Sequence, residues 1–568
     1  MNLYSKRGLS LMLAGALTPL GAQELKDALR LLPPTTTSVE VYRDAALLNQ
    51  RADKVATRFT AAPKDNFVTI LPDLNLNLTT LPKGFTVVAS FPRGETKGNR
   101  DVGLIPARNF PALVKSLKAV KIPGRYTFTR GKAKFSMVQR GTYAAISRDP
   151  ALLLEIKGTG ENLGEELTPL VPWISSHDTV LLAPSRTMGK AMTGMRSALA
   201  PKAGSPPNAL AAMKVLKPLV DMAEASVLQG ALALDFLADG SVQAHARVFL
   251  KAGSPMAQTS GDTPVSGSHP MAGLPAQGFL LGGAWSISGP FRALTEAFAG
   301  MAAEMTPAGA DPDKVAKAAA LARALSAHVQ GQSMSLGVPA KAGDPLLGQF
   351  RMLNRVDDAA AYMGDWTACI DNQIQAKLLP AGIEGTLVKD VLPGVPSASY
   401  DLAFNGLEAL PLPPGQVKMI LSTLFGQPDR ITFSMARLDS RTVVTVLGGA
   451  RELTAALAPV VSGLDHDKGI AAIDALLPAQ ASFRYYVAVE GVSAMVKQVM
   501  ESFVPGAAQK KLPPLPAVPP LALALHSDGL GLELSGAVTP ETLDAMGAFV
   551  RSVDQLFPKK PEAAKTRP

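Results

Sequence analysis

The sequence predicts an α+β protein of two homologous halves, each with an antiparallel-rich sheet covered by helices. Three observations carry this. First, Phe135-Ser136-Met137 opens a strand, tight turn and strand running to Ser147, followed by an apolar helix at Pro150 to Ile156. A loose second copy runs from Phe433 to Val446 and into a helix at Arg451 to Val460, 298 residues later. Second, each half closes on a hairpin with an Asp-Gly tip, at Asp239-Gly240 and Asp528-Gly529. That dipeptide between alternating runs is a strong hairpin signal. Third, strands and helices follow in the same order over five successive units, as a duplication requires. Hairpin-joined strands with helices between them imply antiparallel sheets, here expected to carry helices on one face.

At 568 residues the chain exceeds a single core and suggests two to four domains. With 47% hydrophobic and 18% charged residues it can bury large cores and is not disordered overall. A mean hydropathy of +0.15 raises the membrane question. Beyond the N-terminus, however, no run reaches the roughly 18 uncharged apolar residues a spanning helix needs. The best stretch, Val443 to Leu464, is broken by Arg451, Glu452 and two adjacent glycines.

The N-terminus has the layout of a secretory signal peptide. Lys6 and Arg7 precede an apolar run from Leu9 to Leu20, and Gly21-Ala22 offers a small-residue cleavage site. The expected division is a signal at 1–22, a first half at 23–251, a Gly/Ser/Pro-rich linker at 252–270 and a second half at 271–557. That half carries an insertion at about 367–427, and a charged tail follows at 558–568. The single cysteine, Cys369, rules out an internal disulfide. A large exported protein needs none, and the combination fits a bacterial periplasm or surface better than a eukaryotic secreted module, so an exported, periplasmic or secreted location is expected. The formal charge of +9 is scattered, without the clustered stripe of a nucleic-acid binder.

In order, strands are expected at Thr37 to Tyr42, Phe85 to Phe91, Val102 to Pro106, Arg125 to Arg130 and Lys134 to Gln139. A helix at Ala45 to Phe59 follows the first of them. Asn109 is expected to cap a helix from Phe110, with Pro111 tolerated in its first turn. Helices at 150–156 and 162–173, a strand at His177 to Ala183, helices at Ser185 to Ala198 and Pro207 to Ala225, and the first Asp-Gly hairpin complete the half. The second half restarts with a strand at Gly278 to Ile287 and a helix at Pro290 to Met305. Asp311 caps an alanine-rich helix to His328, and strands at 330–337 and 347–354 precede a helix at Val356 to Trp366. The repeated hairpin, a helix at 468–477, a strand at Ser482 to Glu490, a helix at Val492 to Phe503, the second Asp-Gly hairpin and a helix from Thr539 close the chain.

Motifs that carry chemistry are scarce. None of the six histidines forms His-Glu-x-x-His or a His/Cys cluster, so no zinc or other metal ligand set, no cofactor site and no catalytic residue is assigned. Asp465-His466-Asp467 reads as a solvated loop, and His177-Asp178 as a structural pair at a strand start. Gly331 to Gly337 lacks the spacing of a nucleophile elbow and reads as a strand. Gly158 to Gly164 misses the dinucleotide-binding spacing. Cys369 reads as a buried thiol without a placed base. Aromatic residues, at 5%, supply few stacking platforms. Broadly apolar helices bearing Met213, Met222, Met301, Met305, Met495 and Met500 are core by the simpler reading, or a flexible groove for an apolar ligand or partner helix.

The pattern resembles a loose class of large exported bacterial proteins of unknown function, with a signal peptide and duplicated strand/helix units closed by Asp-Gly hairpins. The resemblance rests on Phe135 to Ile156, Phe433 to Val460 and the two hairpins, and it implies no activity. The expectation is a non-catalytic exported binding or envelope-structural protein. The alternatives are a carrier of lipid or another apolar ligand, and a hydrolase with a dispersed site whose best candidates are His177, His466 and Asp467. No nucleic-acid partner and no transmembrane span after signal cleavage are expected; an envelope protein is a possible partner.

Overall fold

Among the described residues, ten strands in each of two compact units pair antiparallel, with helices between them. In the computed structural model the described residues are 22–59, 70–71, 74, 76, 83–92, 100–200, 207–259, 271–276, 278–286, 292, 311–339, 341, 343–379, 382–405, 414–460, 462–503 and 514–556. Residues 1–21 of the expected signal, residues 260–270 of the expected linker, the helix expected at 290–305 (Arg292 apart) and the expected tail 558–568 lie outside them. One unit comprises Met1–Ala191 with Val227–Phe249, the other Met192–Ser226 with Leu250–Pro568. Among the described residues no helix is long and apolar enough to cross a membrane.

The first unit contains β1 (Ser38–Tyr42), β2 (Thr86–Phe91), β3 (Arg100–Pro106), β4 (Val120–Ile122), β5 (Arg125–Arg130), β6 (Ala133–Arg140), β7 (Tyr143–Ser147), β8 (Thr179–Ala183), β9 (Val227–Phe236) and β10, which starts at Val242. Their spatial order is β4-β5-β6-β7-β3-β2-β1-β8-β9-β10. Gly131 and Gly141 take φ of 57° and 56° in the tight turns flanking β6, where a side chain would be strained.

Helices cover both faces of this sheet, and not the one face expected. Against one face lie α1 (residues 22–30), α4 (Leu152–Glu155), α5 (Leu163–Leu167) and α6 (Val171–Ser176), packed on Val87, Ala89, Val102 and Leu104. Leu25, Ala28, Leu29 and Leu32 form the i, i+3, i+4, i+7 stripe that buries α1. Against the other face lie α2 (Ala45–Phe59) and α3 (Phe110–Ser116), packed with Val88, Ile105, Phe135, Met137 and Ile146. The physical reason is visible in β7, where Tyr143 to Ser147 are all buried: an apolar run without alternation needs cover on both sides. Asn109 does cap α3, accepting from Ala112 N at 3.1 Å. The helix expected at 162–173 is broken into α5, a 3-10 turn at Thr168–Leu170 and α6, because Pro169 and Pro172 remove backbone donors. Helix α7 (Ser185–Ala198) follows β8.

The second unit contains α8 (Pro207–Ser226), α9 (Pro255–Thr259), β11 (Phe279–Ser286), α10 (Pro312–His328), β12 (Val329–Gly337), β13 (Phe350–Val356) and α11 (Ala359–Gln375). Then come β14 (Ile383–Lys389), β15 (Ser397–Phe404), α12 (Pro414–Phe425), β16 (Arg430–Arg437), β17 (Thr442–Leu447), α13 (Ala450–Leu457) and α14 (Lys468–Asp474). The chain ends on β18 (Phe483–Val487), α15 (Val489–Phe503), β19 (Leu521–Ser527), β20 (Gly531–Val538) and α16 (Pro540–Leu556). Its sheet order is β14-β15-β16-β17-β13-β12-β11-β18-β19-β20, the order of the first sheet strand for strand. Within the stretch expected as an insertion, β14 and β15 take the sheet positions that β4 and β5 take. Helix α12 is the element without a counterpart there. Helices α13 and α14 pack on the face bearing Ala284, Leu353 and Val444, and α11 on the face bearing Val356, Met435 and Val443.

His328, the last residue of α10, sits between two carboxylates. Its Nδ1 lies 2.7 Å from Asp357 and its Nε2 3.1 Å from Asp365. The Asp357 hydrogen bond raises the imidazole pKa above its ordinary value, burial opposes this, and Asp365 adds to the rise. A raised histidine contributes stability below the unfolded value of ~6.5 and loses it as pH rises through the folded value. Asp357 is lowered chiefly by the same bond, so its share fades as pH falls below about 4. Urea unfolding of wild type and His328→Gln should therefore differ most near about pH 5.5 and converge near about pH 9. A gap independent of pH would refute the linkage.

Candidate functional site

Among the described residues, two places bear on a candidate site. The first lies in the first unit, where His177 ends α6 and Asp178 precedes β8. His177 Nδ1 lies 2.7 Å from Asp235 Oδ2, and His245 Nε2 lies 3.3 Å from the same oxygen. Asp235 Oδ1 accepts from Asp178 N at 2.6 Å. The Asp178 carboxylate accepts from Phe236 N at 3.0 Å and pairs with Arg51 at 3.2 Å. The Trp173 and His177 rings meet in a T-shaped contact with centroids 4.4 Å apart, and the two imidazole centroids are 4.6 Å apart. Burial pushes the Asp235 carboxyl up, but the hydrogen bonds from His177 and His245 outweigh it and hold it well below the usual carboxylate range.

His177, Asp235 and His245 are also the residues that could hold a metal, with one ligand atom of each within 4.8 Å of the others. The 2.7 Å contact is shorter than the roughly 3.3 Å between neighbouring ligands on a tetrahedral zinc. The buried Arg247 guanidinium lies two residues along β10 from His245. The trio as arranged is a carboxylate shared by two histidines, and its work is to join α6, β8, β9 and β10. Asp235 and His245 are the partners that sequence reading misses. The available signal was a lone carboxylate in the apolar run Ala231 to Phe236, which burial makes untenable unless it is hydrogen-bonded.

The second place is a cleft of about 300 Å³ in the second unit. Arg351 of β13, Val446 of β17 and the first turns of α13 line it, with Asp344 and Pro345 from the loop before β13. Arg351 is only 8% exposed, and its Nε has no hydrogen-bond partner among the described residues. Burial alone pushes the guanidinium pKa down. The two carboxylates of the lining are engaged locally. Glu452 accepts from Gly449 N at 2.9 Å, closing the first turn of α13, and Asp344 accepts from Lys341 N at 3.0 Å. Arg451 lines the cleft from the exposed side of α13.

The other residues singled out in the sequence fall elsewhere. His466 is exposed and lies 3.5 Å from Asp465, while Asp467 caps α14 by accepting from Ile470 N at 2.9 Å. His177 belongs to the first unit and this pair to the second. Cys369 lies in α11, where burial pushes its thiol up, away from nucleophilic character. Met213, Met222 and Met495 are half-buried, whereas Met301, Met305 and the Met500 side chain lie outside the described residues. Comparison with protein-family models, curated proteins and solved structures gives no match in any of the three.

Proposed function

We propose that this chain is an exported, periplasmic or secreted binding protein that holds a small ligand without transforming it. Its two homologous halves would share one fold, with the ligand site in the second. The observation that carries this reading is the cleft beside Arg351, in which a buried cation faces a ligand-sized space. Its lining offers guanidinium groups, prolines and carboxylates that already cap backbone amides; it pairs no nucleophile with a base. The identical strand order of the two sheets supports the homology, and the charged, apolar and small-residue succession at the N-terminus supports export. The polar lining favours this reading over an apolar-ligand carrier.

Native mass spectrometry of the protein recovered from the exporting compartment should reveal a small-molecule adduct that is released chemically unchanged. Turnover of the released molecule would make the protein an enzyme. A bare mass, with no stabilisation by any member of a broad metabolite panel, would leave an envelope-structural role.

A further inference from the structure

The two sheets can be compared position by position, because their strands share an order and the Phe135 and Phe433 hairpins set a common register. Ser136 pairs with Ser147, which pairs with Val102, which pairs with Ala89. In the second sheet Ser434 pairs with Val446, which pairs with Arg351, which pairs with Ser335. One step along, Val87 opposite Leu104 in the first sheet matches Ser333 opposite Leu353 in the second. Thus Val87, Ala89 and Val102, all fully buried apolar residues, stand where the second sheet has Ser333, Ser335 and Arg351.

The fold itself does not need polar groups at these three places. The second sheet nonetheless buries all three, the serines at 1% exposure each. Neither serine hydroxyl nor Arg351 Nε has a hydrogen-bond partner among the described residues. Buried polar atoms are ordinarily satisfied, and a desolvated cation without a counter-charge is costly. The two serines make the sheet around Arg351 polar without lining the cleft, whereas Arg351 itself lines it, and its unpartnered guanidinium nitrogen points to a group that completes it from outside the chain.

Resting on the binding-protein reading, we infer that the ligand is a small oxyanion, a carboxylate or phosphate on a compact molecule, seated on Arg351. A planar guanidinium matches such a group with two parallel hydrogen bonds. Arg451, without an ion pair among the described residues, stands at the same cleft on the first turn of α13, where the helix end also favours negative charge. At about 300 Å³ the cleft is at the small end of ligand pockets and suits a compact molecule. Asp344 and Glu452 also line the cleft, each with one carboxylate oxygen held by a backbone amide.

The test is calorimetric titration of the full chain with inorganic phosphate and, separately, with succinate, alongside melting temperatures. At least one anion should bind, and Arg351→Met should weaken it by about tenfold or more. In anion-free buffer the same variant should melt at or above the wild-type temperature, because it removes a buried unpaired charge. A merely structural guanidinium would instead lower the melting temperature with or without anion, and that result overturns the proposal. Should Arg351→Met fail to fold, Arg351→Lys must weaken binding while leaving the melting temperature nearly unchanged, and unaltered affinity there overturns it too. Arg451→Gln should reduce affinity a few-fold, mostly at low salt. Neither anion binding, with a neutral molecule recovered instead, overturns the oxyanion and leaves the binding-protein reading standing. Recovery of no ligand at all removes both.

Discussion

Replacing Asp235 by alanine is expected to destabilise the first unit by about 3–5 kcal/mol, the scale for removing one partner of a buried charged network. The carboxylate takes His177 Nδ1, Asp178 N and His245, so its loss strands donors of the segment between α6 and β8 and of the facing strand at once. Asp235→Asn keeps an acceptor oxygen and should cost roughly half as much. The expectation has a pH signature with a definite sign. The folded carboxyl is held below its ordinary value, so its contribution is present above the unfolded pKa of ~3.9 and is lost as pH falls through the folded one. Trp173, whose ring packs against His177, is a local reporter. Urea unfolding followed by its fluorescence, in a background lacking Trp285 and Trp366, gives the measurement. A loss below about 1 kcal/mol near neutral pH would mean that solvent replaces the carboxylate, and the network would not be the joint described here.

The second large effect separates the Phe135 and Phe433 hairpins. Phe135 is fully buried, stacked on Phe128 at 5.5 Å with the Arg148 guanidinium 5.5 Å from its ring. Phe135→Ala should cost about 3–5 kcal/mol through lost transfer energy and the cavity left behind. Phe433 holds the matching place in β16 but is half-buried, so Phe433→Ala should cost about half that, since less area leaves water on folding. Equal costs would contradict the difference in burial.

Much of the architecture was legible because it is encoded locally. Asn109 and Asp311 announce helix starts, Asp239-Gly240 and Asp528-Gly529 announce hairpins, and the structure places caps and turns there. What was illegible depends on contacts between distant segments. The largely exposed β4, Val-Lys-Ile, is too short for its alternation to mark a strand, and its place is set by pairing with β5. Asp235 and His245 lie 58 and 68 residues beyond His177, and only the order of β8, β9 and β10 brings them to it. In β12 hydropathy alone would put Met334 inside and Ser333 and Ser335 outside. Register against β11 and β13 does the reverse, burying both serines and leaving Met334 half-buried. The candidate cleft was hidden for that reason, since Arg351 is one more strand residue until its neighbours are known.

The shared strand order has a consequence for how this chain could be altered. The wiring of the sheet tolerates a valine or a guanidinium at the same node, so topology and recognition are written in separate residues. The first sheet is thus a ready reference for the second: exchanging side chains between matched nodes changes what the core can hold while the backbone plan stays constant.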